Sequence, residues 1–153
     1  MTALAFDPAF VARVSTARPA EMTALLLEEA IRELDVTIAA IGEKAIEKRY
    51  MASARALKIV DFLHETLDYE AGGDIAVNLD KVYRLAMARI CRINPFNDVD
   101  SAKIAQRILE PQAAAWRAID AQEQADDDMP EIKALPGLMA RQARPAGQPV
   151  YAR

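Results

Sequence analysis

His64 stands three residues after Asp61 and directly before Glu65. With Glu28 and Glu29 these carboxylates form the one grouping in the chain whose residue types suit a metal held between helices. A carboxylate-bridged metal centre in a helical bundle draws a Glu-x-x-His pair from each of two helices, and His64 is the only histidine. Metal catalysis is therefore not expected, and His64 reads as a boundary or surface residue at the edge of an apolar stripe. Cys91, the only cysteine, has no second histidine to activate it and no partner for an intramolecular disulfide. Its place beside Ile90 predicts a half-buried, inert thiol. The five glycines, at positions 42, 72, 73, 137 and 147, make no phosphate-cradling loop followed by lysine. Neither an enzyme nor a cofactor is expected.

The charges exclude further classes. Net charge is -4, with 27% charged residues, so there is no basic excess for nucleic acid or an anionic membrane. The longest apolar runs fall far short of the roughly 20 residues that a membrane span needs. No basic-then-apolar leader is read at the start, and the cytoplasm is the expected compartment. What remains is a surface for another protein.

The elements that must position such a surface are helices. A first helix is predicted from Pro19, whose fixed φ suits a first helical position, to Gly42; Met22, Leu26, Leu27, Ile31, Leu34, Ile38 and Ile41 share its face. A second is predicted from Glu43 to Asp68, with an alanine-rich stripe that admits a close neighbour. A reversal at Ala71-Gly72-Gly73, with Asp74 as the next cap, leads to a third helix over 74–93. Asn94-Pro95-Phe96-Asn97 is read as a turn, because proline disfavours helical geometry in the residue before it. A fourth helix starts at Asp98 or Asp100 and passes Trp116 and Ile119, with a kink expected near Pro111.

Short connections between long amphipathic helices predict an all-α, antiparallel, up-and-down four-helix bundle. The third helix carries apolar side chains at 75, 76, 77, 79, 82, 83, 85–88, 90, 91 and 93, a wider stripe than one bundle seam uses, so part of it is expected to face outward. Three regions follow: an N-terminal arm (1–17), in which Asp7-Pro8 looks like a helix start and Phe6, Phe10 and Val14 share a face; the bundle (18–124); and a proline-rich tail (125–153), expected to be flexible.

The order of these features resembles the flagellin-specific export chaperone family known as FliS, from the arm near Phe6 to about Asp120. Thr16-Ala17-Arg18-Pro19-Ala20-Glu21-Met22 is similar to the family's T-A-S-P-x-E-L helix start. Leu67-Asp68, Gly72-Gly73-Asp74-Ile75-Ala76, Asn78-Leu79, Val82-Tyr83 and Trp116 follow in the family's order. Arg18 stands where the family usually has a capping serine, and Leu27-Glu28-Glu29 where it tends to have Tyr-Asp-Gly.

The resemblance implies a non-catalytic cytoplasmic chaperone that binds the disordered C-terminal segment of flagellin, one to one. It implies further that binding prevents premature polymerisation and that the subunit is delivered to the flagellar type III export apparatus, whose export gate becomes a second partner. A disordered client can wrap a long apolar surface, and the cost of ordering it keeps release possible without ATP. The residues expected to form the client groove are Ile59, Phe62, Leu63, Leu79, Tyr83, Ala86, Met87 and Ile90, with Phe6, Phe10 and Val14 covering it when the client is absent. The other reading of the same residues is a helical-bundle regulatory or scaffolding protein for another helical partner.

Overall fold

The structure, a computed structural model, describes residues 4–129. They form five helices: α1 (Pro8–Thr16), α2 (Pro19–Gly42), α3 (Ile46–Glu65), α4 (Tyr69–Phe96) and α5 (Val99–Asp127). Among the described residues there is no strand. The α5 helix runs three residues past the boundary expected at Gln124, and the remainder of the expected tail, 130–153, lies outside the described residues.

Local chemistry sets the helix starts. Asp7 accepts a hydrogen bond from the backbone N–H of Ala9 and Pro8 follows it, so the arm begins as a true helix. Pro19 opens α2, but Arg18 before it makes no side-chain cap. Of the two aspartates read as caps for the last helix, Asp98 takes the role: it accepts from the N–H and the hydroxyl of Ser101, and these bonds lower its pKa.

Two expectations about chain breaks are corrected. The reversal between α3 and α4 lies at Thr66-Leu67-Asp68, ahead of the glycines, and Asp68 caps α4 by accepting from Ala71 N–H, where Asp74 was expected. Gly73 nevertheless has a left-handed φ of 51° with ψ of -127°, so it kinks the helix after one turn. The Asn94-Pro95 break is also displaced: α4 continues through Pro95 to Phe96 and closes at Asn97 in the left-handed region. Asn94 is held helical from outside, donating to Ser53 Oγ and accepting from Arg49 Nε. The last helix, α5, is a single helix of 29 residues with Pro111 inside it.

The helices assemble as a bundle, with α2 packed against α3 and α5, α4 against the same two, and α1 against α2. Ala24, Ala30, Ala52, Ala56, Ala86, Ala102 and Ala105 have no exposed surface, so the backbones approach closely along the core. Leu27, Leu34, Val60, Tyr83, Ile90, Ile93 and Leu109 fill the space between them. Polar pairs fix the register. Arg49, early in α3, reaches Asn97 after α4 at 2.5 Å, while His64, late in α3, reaches Asp80 at 2.6 Å. Gln106 of α5 donates to Asp35 at 2.6 Å and Arg117 to Glu28 at 2.7 Å. In both helix pairs one residue number rises as its partner's falls.

Candidate protein-binding cleft

The arm helix positions the cleft. Phe6, Phe10 and Val14 are spaced four residues apart and lie on one side of α1. The rings of Phe6 and Phe10 meet at 6.0 Å with a 43° tilt. Phe10 is buried, and Phe6 and Val14 are half-buried against the core. Between this helix and the bundle lies a pocket of about 250 Å³. Its walls are Phe6, Phe10, Val11 and Val14 from the arm, Leu26 from α2, and Lys58, Ile59 and Phe62 from α3. Val11 and Phe62 stand at its mouth, 50% and 44% exposed.

The chemistry of this wall is apolar, with Ser15 and Lys58 its only polar lining. Such a surface offers dispersion and burial but no directional recognition. It suits apolar side chains projecting from one face of a partner helix.

Of the residues expected in the groove, the structure brings Phe6, Phe10, Val14, Ile59 and Phe62 to the cleft. Leu63, Leu79, Tyr83, Ala86 and Ile90 lie in the bundle core, each at most 7% exposed, and Met87 is half-buried against it. Burial raises the Tyr83 pKa to about 12. The outward part of the wide α4 stripe includes instead Ile75, Val77 and Leu85, 39%, 44% and 51% exposed, together with the smaller Ala88 and Cys91. Val11, Leu26 and Lys58 were not anticipated. Lys58 and Phe62 are four residues apart on α3, a spacing from which the wall residue Lys58 was readable.

The former metal candidates are dispersed. His64 is half-buried and pairs with Asp80, and a carboxylate accepts only, so Nε2 of His64 carries the hydrogen. Asp80 also accepts from Tyr69 Oη at 2.8 Å and from Arg84 Nε at 2.9 Å. These donors, Tyr69 foremost, hold the Asp80 carboxyl at about 2, and the same bond raises the Tyr69 phenol. The cluster ties the α3–α4 reversal together. Glu29 pairs with Arg32, and Glu33 with Arg55 at 2.8 Å. Glu28 pairs with Arg117, whose pKa it raises. Cys91, expected to be half-buried, is exposed, because it sits on the outer side of α4 beside the inward Ile90. Among the described residues no group of three or more His, Cys, Asp or Glu is placed to hold a metal ion. No described helix is long and apolar enough to cross a membrane.

Comparison with known proteins gives the family. The model described as flagellar protein FliS matches residues 6–123. The flagellar secretion chaperone FliSB of Pseudomonas aeruginosa is 30% identical over 108 residues, covering 71% of this chain and 86% of that protein. The flagellar secretion chaperone FliS of Vibrio cholerae is 31% identical over 107 residues, covering 70% of this chain and 79% of its own. That of Salmonella typhimurium is 28% identical over 107 residues, or 69% and 79%. The matched span takes in the arm, the cleft and nearly all of the bundle: the chain belongs to the FliS family of flagellar proteins.

Proposed function

We propose that this chain is a cytoplasmic export chaperone for flagellin. It binds the disordered C-terminal segment of flagellin one to one, prevents premature polymerisation, and delivers the subunit to the flagellar type III export apparatus, without catalysis and without a cofactor. The observation that carries this reading is the apolar cleft between α1 and α3, with Phe62 and Val11 open at its mouth. A chain that keeps such a surface near solvent has a partner for it. Membership of a family whose similar members are flagellar secretion chaperones supports a flagellar subunit as that partner.

The architecture that supports this role is an antiparallel, up-and-down four-helix bundle over 18–124, preceded by an arm over 1–17 and followed by a tail over 125–153. Ile59 and Phe62 take the client's apolar side chains directly. Leu63, Leu79, Tyr83, Ala86, Met87 and Ile90 support that surface from beneath and set the position of α3 and α4. The arm covers the groove through Phe6, Phe10 and Val14 until the client displaces it. The export gate is the second partner.

Calorimetric titration with a peptide of the last ~40 residues of a flagellin from the same organism tests the proposal, with circular dichroism recorded alongside. Saturable one-to-one binding with gained helicity and a negative heat-capacity change is expected. Absence of binding at high micromolar peptide, with the arm present and with 1–14 deleted, overturns it in favour of a scaffold for another helical partner.

A further inference from the structure

We propose that the outward side of α4 docks an acidic amphipathic helix of a partner protein, leaving the cleft between α1 and α3 free for the client. Val77, Lys81, Leu85, Ala88, Arg92 and Phe96 follow one another at spacings of three and four, so they form one row along the helix. At ~1.5 Å per residue the row is about 28 Å long. Tyr83, Ala86 and Ile90 fill the inward side of the same helix and are buried. In the row, Leu85 and Phe96 are 51% and 66% exposed, and Val77 and Ala88 are exposed as well. Among the described residues α2 and α5 have no exposed large apolar side chain, so an apolar outer row is a property of α4 and not of every helix in the bundle. The α4 helix packs against α3 and α5, whereas α1 packs against α2 and the cleft lies between α1, α2 and α3. Client and partner can therefore be held together.

The charges decide the occupant. From Lys81 to Phe96 the helix has Lys81, Arg84, Arg89 and Arg92 and no acidic residue, in a chain of net charge -4. Lys81 and Arg92 stand in the row, and Arg84 and Arg89 flank it on opposite sides. The carboxylates at the two ends of this stretch are already engaged. Asp80 accepts from Tyr69, His64 and Arg84, while Asp98 accepts from Ser101 and lies 3.7 Å from Arg92. Among the described residues Lys81 and Arg89 have no acidic partner. A purely apolar helix laid on the row would strip water from these cations without pairing them. A second copy fits no better: the two-fold pairing that sets Leu85 on Ala88 also sets Lys81 on Arg92 and Arg84 on Arg89, like on like. A flat anionic surface would meet the acidic remainder of the chain as well as this one helix. A single helix with apolar side chains three and four residues apart and carboxylates on both flanks matches the row and its charges together.

The test titrates the full chain with a synthetic helix of about 25 residues, leucine along one side and glutamate on both flanks. Its controls are the same composition with the leucines scattered round the helix, and the same helix with lysine in place of glutamate. Saturable binding of the acidic helix, at least about tenfold tighter than either control and weakened several-fold between ~50 and ~300 mM salt, is expected. Full chains carrying Leu85→Glu or Lys81→Glu are expected to bind it about five- to tenfold more weakly, with circular dichroism and affinity for the flagellin peptide unchanged. Equal affinity for the acidic and scattered helices, or no loss in either variant, overturns the proposal. Loss of flagellin-peptide affinity in the same variants also overturns it, by giving the row to the client. Binding to phosphatidylglycerol vesicles that both variants abolish, with no binding of the acidic helix, gives the row to a membrane instead. A mass that doubles with concentration in the unmodified chain and not in Leu85→Glu gives it to a second copy. If the flagellin peptide binds none of these chains, the flagellin reading fails, while the helix comparison still decides the row.

Discussion

Arg18 places a guanidinium nitrogen 2.6 Å from Oδ1 of Asp120, so the residue that opens α2 is clamped to the last turns of α5 across 102 positions of sequence. Asp120 is 2% exposed and also accepts from Arg117 and Gln124. This explains a departure from the family pattern. At a position where a serine would cap α2 locally, the arginine leaves the helix uncapped and joins two helices instead.

Asp120→Ala is expected to cost about 2–3 kcal/mol, below the usual range for breaking a buried pair, because Arg18 is partly exposed and can turn to water. A lower urea midpoint with an unchanged slope is the expected reading. Removing the exposed Glu28–Arg117 pair by Glu28→Ala should cost under ~1 kcal/mol. Equal losses in the two variants would mean that Asp120 adds nothing beyond a surface pair.

The helices were legible because each carries its own period. Pro19 and Asp98 mark two starts, and the stripes through Leu27, Leu34, Ile59, Leu63, Tyr83 and Ile90 all turn inward. What misled were residues whose local preference is overruled by contacts distant in sequence. Asn94 stays helical ahead of Pro95 because Ser53 and Arg49 hold its side chain, and no nearby residue announces those partners. The cleft was half legible for a related reason. Periodicity tells which side chains share a face, as it did for Phe6, Phe10 and Val14. It does not tell that Phe62 looks out toward the arm while Leu63 beside it looks in.

Gly73 offers a purely conformational test. A Cβ added there meets nothing within 4 Å, yet φ is +51°, so Gly73→Ala should destabilise by about 1–3 kcal/mol through backbone strain alone. Gly42 also has nothing within 4 Å of an added Cβ and has no positive φ, so Gly42→Ala should stabilise by about 0.5–1 kcal/mol. Thermal melts of the two variants should therefore move in opposite directions. A shift of the same sign in both would contradict the strained geometry at Gly73.

The folded protein should lose stability at both ends of the pH range for separate reasons. Asp80 is held at about 2, below its usual 3.8, so the folded state binds that proton less readily than the unfolded chain. Its contribution is complete above about pH 4 and disappears as pH falls toward 2. Tyr83, raised to about 12 by burial, acts in the opposite sense: the unfolded phenol ionises from about pH 10 while the folded one stays neutral, and stability falls between 10 and 12. Urea midpoints across pH, compared with Asp80→Asn and Tyr83→Phe, should show the acid slope reduced in the first and the alkaline slope in the second. Unchanged slopes would exclude these two groups as the cause.

Phe62 and Leu63 are neighbours on α3 with opposite exposures, 44% and 5%, and the pair separates binding from folding. Phe62→Ala removes the ring at the mouth of the cleft, where truncating a central aromatic contact commonly costs more than ~1 kcal/mol of affinity. The flagellin peptide is therefore expected to bind at least about fivefold more weakly, with the urea midpoint nearly unchanged. Leu63→Ala opens a cavity in the core and should lower stability by about 2–5 kcal/mol. At temperatures where that variant stays folded, its affinity for the peptide should change less than that of Phe62→Ala. The reverse pattern, with Leu63→Ala abolishing binding in a fully folded protein and Phe62→Ala binding normally, would move the client from the α1–α3 cleft to the interior face of α3.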